Sequence, residues 1–183
     1  MKPTMSAIRS TLFTACIAGA LIALGGCATP VSHEALVPAA LEVSIHHPQS
    51  VSVNAAGGTE TSAAGKPQVS DAELQQAVAA AITQSKTFSR VVDGKNGDYI
   101  LTVNIFNLTQ PSFGFSFTVA VEMGWTLTRA DNGAKVWQES IKSEQTVGTG
   151  EAFVAVTRLK LATEGAIRNN VKQGLVKLSA LSL

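Results

Sequence analysis

Between Phe115 and Leu127 every second residue is apolar. Phe115, Phe117, Val119, Val121, Met123, Trp125 and Leu127 fall on one side, and Ser116, Thr118, Glu122, Thr126 and Thr128 fall on or continue the other. Side chains alternate across a strand, whereas a helix returns to one face every three or four residues. Seven successive matches to a period of two leave no helical reading. The run must be a strand with one buried face. Such a strand needs paired neighbours and a layer to cover it.

The flanking sequence supplies both. Tyr99, Leu101, Val103 and Ile105 alternate with Thr102 and Asn104, a half-buried strand. Gln110 to Gly114 turns the chain, Asp131-Asn132-Gly133 is a hairpin turn, and Lys135 to Glu144 returns as a strand with Trp137 and Ile141. Upstream, Phe88 to Val92 reads as a short strand before the turn Asp93 to Asp98. Leu41 to Val53 holds two strand-like stretches, LEVSI and SVSV, broken at His46-His47-Pro48.

Two helices cover the sheet. Ser70 followed by Glu73 matches a capping box, and Leu74, Val78, Ala81 and Ile82 form one apolar face up to about Lys86. A second helix runs from about Ala152 to Ala180, with a core face of Phe153, Val156, Ile167, Val171, Leu175 and Leu178. The order is β–α–β–β–β–β–α. The expected fold is α+β, a two-layer sandwich: a mainly antiparallel sheet of four to five strands with two helices on one face. Nine of the ten aromatic residues lie between Phe88 and Phe153, so the hairpins are expected to supply most of the core.

The N-terminus carries a different signal. After Lys2 and Arg9 comes an uncharged apolar run of 14 residues, Thr11 to Leu24. A bilayer-spanning helix needs roughly 20, so the run fits the apolar region of a secretory signal peptide. It ends in Leu24-Gly25-Gly26-Cys27, which resembles the lipobox of bacterial lipoprotein precursors. The resemblance implies cleavage between Gly26 and Cys27 and a diacylglyceryl group on the Cys27 thiol. The chain then divides into a leader (1–26), an acylated tether (27–40, with two prolines and no aromatic) and one periplasmic domain (41–183). It also implies a mature chain with no free thiol, since Cys16 leaves with the leader, and outer-membrane attachment facing the periplasm, because Ala28 follows the cysteine rather than an aspartate. The outer leaflet of the inner membrane is the alternative.

Charge excludes whole classes of partner. The formal net charge of +1 loses the positive charges of Lys2 and Arg9 with the leader and becomes −1. No basic patch remains to hold nucleic acid or anionic headgroups, so membrane contact must come from acyl chains, at about 0.8 kcal/mol per buried methylene.

Chemistry-bearing motifs are sparse. His46 and His47 are adjacent on a strand and point to opposite faces, and His33 lies in the tether, so no metal site is expected. Asp93 to Asp98 (DGKNGD) lacks the acidic spacing of a calcium loop. Gly148-Thr149-Gly150 precedes a helix, but Glu151 puts negative charge where a phosphate would sit. No histidine follows His47 to activate a serine. Glu122 and Glu139 read as solvent-face charges, as do Arg158, Arg168 and Lys172 on the last helix. Asn107-Leu108-Thr109 is a glycosylation sequon in form only. Phe113 stands at a loop tip beside a glycine, and with Arg168 it is the candidate contact for a partner.

From Ser70 to Leu183 the chain resembles the auxiliary lipoproteins of ABC-type lipid or solvent transporters. More distantly it is similar to periplasmic domains of curli-secretion and penicillin-binding-protein-activating lipoproteins. The resemblance rests on the helix DAELQQAVAAAITQSKTFSRVV, the strand DYILTVNI and the strand KVWQESI. It implies a non-catalytic accessory or assembly subunit without a cofactor that binds envelope proteins or lipids. A structural lipoprotein of a surface or secretion assembly is the alternative, and a hydrolase a remoter one.

Overall fold

A computed structural model describes residues 28–183. The elements are α1 (His33–Leu36), β1 (His47–Ala56), α2 (Asp71–Ser85), β2 (Phe88–Val91), β3 (Tyr99–Thr109), β4 (Phe117–Arg129), β5 (Lys135–Val147) and α3 (Ala155–Ser179). They form an α+β fold with a five-stranded sheet in the order β2-β1-β3-β4-β5.

The sheet is mixed. The meander β3–β4–β5 is antiparallel, as the hairpin turns require. β1 runs parallel to both its neighbours: His47 to Val51 align with β2, and Val51 to Ala56 with β3. The parallel half follows from α2, which lies between β1 and β2 in sequence and returns the chain to the end where β1 began. β1 itself starts only at His47. The LEVSI stretch, expected as a strand, is irregular, and His47, expected as a breaker, opens the strand.

α1, α2 and α3 lie on one face. α2 packs on β1 and β2, α3 on β4 and β5, and α1 bridges α2 and α3. From Phe117 to Leu127 the alternating residues of β4 are buried as the period of two requires. Phe115 breaks the pattern: it lies before the strand and is 88% exposed. Phe153 likewise precedes α3 and is 91% exposed, whereas Ile167, Val171, Leu175 and Leu178 are fully buried.

α3 approaches the sheet closely at Gly174. A β-carbon there would stand 2.4 Å from the indole of Trp125, so only glycine admits the ring. Trp125 Nε1 donates to Asn170 Oδ1 (3.0 Å), and Asn170 Nδ2 donates to the Ile141 carbonyl (2.7 Å). One buried asparagine thus ties helix to sheet with its polar atoms satisfied.

The segment 28–40 is not a free tether. Val31 and Leu36 are buried, Val31 N donates to the Gln68 carbonyl, and Arg168 donates to the Ala35 carbonyl (2.8 Å). The capping box forms in half. Ser70 Oγ accepts from Glu73 N (3.3 Å), but the Glu73 carboxylate reaches His33, accepting from its backbone N–H and lying 3.1 Å from its Nδ1. The carboxylate expected to cap α2 anchors α1 instead.

Candidate functional site

The meander fixes two ends of the molecule. β4 has 13 residues, which at about 3.3 Å each separate its ends by roughly 40 Å. One end carries the turns 93–98 and 130–134. The other carries the loops 57–70, 110–116 and 148–154.

The second end holds the exposed aromatic residues. Phe113 is 90% exposed, and Phe115, Phe153 and half-exposed Val154 stand beside it on the same loops. The loops themselves are tied down. Arg158, at the start of α3, is buried. Its Nη1 donates to the Ala152 (3.0 Å) and Phe153 (2.5 Å) carbonyls, its Nη2 reaches the Gly114 carbonyl (3.4 Å), and its guanidinium lies 5.2 Å from the Phe117 ring centre. Gln110 Nε2 donates to the Pro67 carbonyl and to Thr163 Oγ1, and Lys66 Nζ donates to the Gln110 carbonyl (2.8 Å). The tips therefore project from a braced base.

Residue 28 lies at this same end. Ala28 N donates to the Ala63 carbonyl (3.3 Å), and Thr29 Oγ1 accepts from Lys160 Nζ (3.2 Å). Gly26 and Cys27, the expected cleavage and acylation positions, lie outside the described residues.

The other expected positions resolve as follows. Arg158 is not a solvated charge but the clamp just described, and Arg168 is half-buried and bound to α1. Only Lys172 of that trio is exposed. Neither arginine position was legible as internal, because Arg168 is held by the carbonyl of Ala35 far away in sequence, and Arg158 joins the nearby Ala152 and Phe153 carbonyls to that of distant Gly114. Glu122 and Glu139 face opposite sides of the sheet. Glu122 accepts from Ser140 Oγ (2.7 Å) on the uncovered face, while Glu139 pairs with Lys177 of α3. The Ser140 hydrogen bond, aided by Lys142, holds the Glu122 carboxyl below its usual range. Burial pushes the Glu164 carboxyl up, against the opposing charges of Lys160 and Arg168.

His47 is buried against the Phe88 ring with Nε2 on the Leu178 carbonyl (3.1 Å), while His46 is exposed with Nδ1 on the Lys86 carbonyl (2.8 Å). Glu151 accepts from Gly148 N (2.8 Å), placing its carboxylate on the amide that a phosphate would need. Among the described residues, no cluster of three or more His, Asp and Glu stands ready for a metal ion.

Sequence reading missed Phe106. It is the extra residue of a bulge in β3, between the pairs Ile105–Met123 and Asn107–Glu122. It is 62% exposed, and its ring lies over Gly124 on the uncovered face. Beside it a shallow groove of 320 Å³ is lined by Asn107, Ala120, Glu122, Lys142 and Glu144 among others. A glycine in mid-strand opposite a phenylalanine was the available signal.

No family model matches the chain, and no curated protein matches it. Solved structures do share the fold. Protein XCC0632 from Xanthomonas campestris, of family-model DUF330, is similar with a TM-score of 0.62 at 12% identity, over 82% of this chain and 94% of that one. Protein CT253 from Chlamydia trachomatis is similar with a TM-score of 0.51 at 12% identity, over 73% and 99%. Uncharacterized lipoprotein B from Nitrosomonas europaea is similar with a TM-score of 0.50 at 15% identity, over 76% and 87%.

Proposed function

We propose that this chain is a bacterial envelope lipoprotein, acylated on Cys27, that acts as a non-catalytic accessory or assembly subunit on the periplasmic side of the outer membrane. The observation that carries the reading is the position of residue 28. Residue 28 is pinned to the loop end of the domain, so an acyl group on the preceding residue leaves the molecule there and the helices and sheet stand clear of it. The lipobox supports the same reading. So does the fold, shared with a protein described as a lipoprotein.

Among the described residues no helix is long and apolar enough to cross a membrane. In this reading the acyl chains on Cys27 hold the domain at the bilayer. The uncovered face of β3–β5 is the surface we assign to an envelope protein partner. Phe106, on a bulge, lays an exposed ring over this face at Gly124, and exposed aromatic residues are frequent carriers of interface energy.

Replacing Cys27 by serine in the full-length chain tests the first half. The expected product is a larger precursor without fatty-acid label, because a hydroxyl does not substitute for the thiol that accepts the lipid. A normal-sized, labelled product would remove the lipoprotein reading. A photo-crosslinking residue at position 106 tests the second half: a discrete protein adduct in intact cells is expected, and the absence of any adduct would move the partner surface elsewhere.

A further inference from the structure

We propose that Phe113, Phe115 and Phe153 seat in the surface of the bilayer that holds the acyl chains, so that the domain stands on the membrane with its loop end down. The inference rests on acylation of Cys27, and it adds a second, non-covalent contact to that anchor.

Three observations converge. First, the aromatic tips and residue 28 share one end. Ala28 bonds Ala63, Lys66 bonds Gln110 and lies 3.3 Å from Ser112, and Arg158 joins Gly114 to Phe153. Consecutive Cα atoms lie about 3.8 Å apart, so an acylated Cys27 brings this end to the headgroups without a spacer. Second, the aromatic tips themselves are uncharged; Glu60, Lys66 and Glu151 stand elsewhere on the same end, Lys66 bonded to Gln110 and Glu151 to Gly148 N. Residues 110–116 (QPSFGFS) and 152–156 (AFVAV) contain no Asp, Glu, Lys or Arg. The opposite end presents Asp93, Lys95, Asp131 and Lys135. Third, the loops are braced by Arg158 and Gln110, so seating them costs little ordering. Aromatic side chains favour the boundary between headgroups and hydrocarbon, and a one-residue link holds them there at high effective concentration. A protein partner on the same tips would have to share that space with the membrane, which is why the lipid surface is the occupant the geometry favours.

The test uses the acylated full-length protein, extracted and reconstituted into vesicles of phosphatidylethanolamine and phosphatidylglycerol, with and without bromine on the acyl chains. Phe113→Trp and Phe153→Trp place a fluorophore on exposed tips, and Lys95→Trp places one at the far end; none of the three touches the core. The expected result is blue-shifted emission quenched by brominated lipid for the two tips, and neither effect for Lys95→Trp beyond that of the native Trp125 and Trp137. Fatty-acid labelling of the same preparations reads the anchor separately. Label present with unquenched tips overturns the seating and leaves the lipoprotein reading intact. Label absent overturns both. Equal quenching at both ends overturns the orientation, and a photo-crosslinker at position 113 that captures an envelope protein in cells, with unquenched tips in vesicles, assigns this end to a protein instead.

Discussion

The two ends of the meander solve the same problem by opposite means. At one end the chain turns on polar residues that bond their own turn or, at Asp98, the adjacent strand β1. Asn132 Oδ1 accepts from Ala134 N (2.9 Å), Asn96 Nδ2 reaches the Asp93 carbonyl, and Asp98 accepts from the backbone and hydroxyl of Ser50. At the other end the loops 110–116 and 148–154 are braced chiefly from outside themselves, by Arg158 and Thr163 of α3 and by Lys66. A turn held from within must spend its side chains on holding. Loops braced by a helix behind them leave their own side chains free, and here those side chains are phenylalanines.

The sharpest way to break this contrast is to remove the brace. Arg158→Met should cost about 3 kcal/mol, because a charged donor to three carbonyls is lost and they are left poorly satisfied. That corresponds to roughly 10 °C in melting temperature for a domain of this size. Limited proteolysis should then cut first within 110–116 and 148–154 while the turns 93–98 and 130–134 stay resistant. Equal cutting at both ends would show that Arg158 supports the whole fold rather than one end.

A matched pair of glycines measures how tightly each end is built. Gly114 has φ +147° and a β-carbon there would lie 2.9 Å from the Ser116 carbonyl oxygen, whereas Gly133 has φ +70° and open space around it. Gly114→Ala should cost about 1–3 kcal/mol and Gly133→Ala about 1 kcal/mol, read from urea unfolding. A larger loss at Gly133 would reverse the ranking of the two ends.

Of the two ends, acid should act on the one that holds Asp98. The hydroxyl and backbone N–H of Ser50 hold the Asp98 carboxyl below its usual range. Its folded value is depressed, so its contribution is present above the ordinary aspartate value and is lost as pH falls through the folded one. Asp98→Asn should therefore flatten the acid limb of stability against pH without altering the aromatic loops. An unchanged acid limb would show that this hydrogen-bonded carboxylate does not set it.

The smallest effect expected is the most informative about the tips. Phe113→Ser combined with Phe153→Ser should leave unfolding within about 0.5 kcal/mol of the parent, since both rings are already in water. The same variant should elute earlier from a hydrophobic column. A marked loss of stability would mean that the rings pack in the folded state after all.

Local chemistry alone determined much of this protein. The strict alternation of β4, the Asp131-Asn132-Gly133 turn, the Ser70 cap and the apolar faces of the two long helices each declare themselves within a dozen residues, because each is enforced by backbone geometry or by a neighbour close in sequence. The α+β class and the helix-covered sheet follow from them. The candidate site was legible only at Phe113, a ring beside a glycine in a loop without other anchors.

Tertiary structure decided the rest, wherever the deciding partner lies far along the chain. β1 found parallel neighbours on both sides because α2 carried the chain back across the sheet. Glu73 left its own cap for His33, 40 residues away. Phe115 and Phe153 match the apolar period of their elements and still face water, since the strand and helix start two residues beyond them. Arg158 reads as a surface charge and is buried, because the carbonyls that accept from its Nη atoms come from two loops that only the folded meander brings together. A pattern reports which face a residue would share if its element extended that far; where the element stops, and what waits at its end, is set by contacts that no local pattern contains.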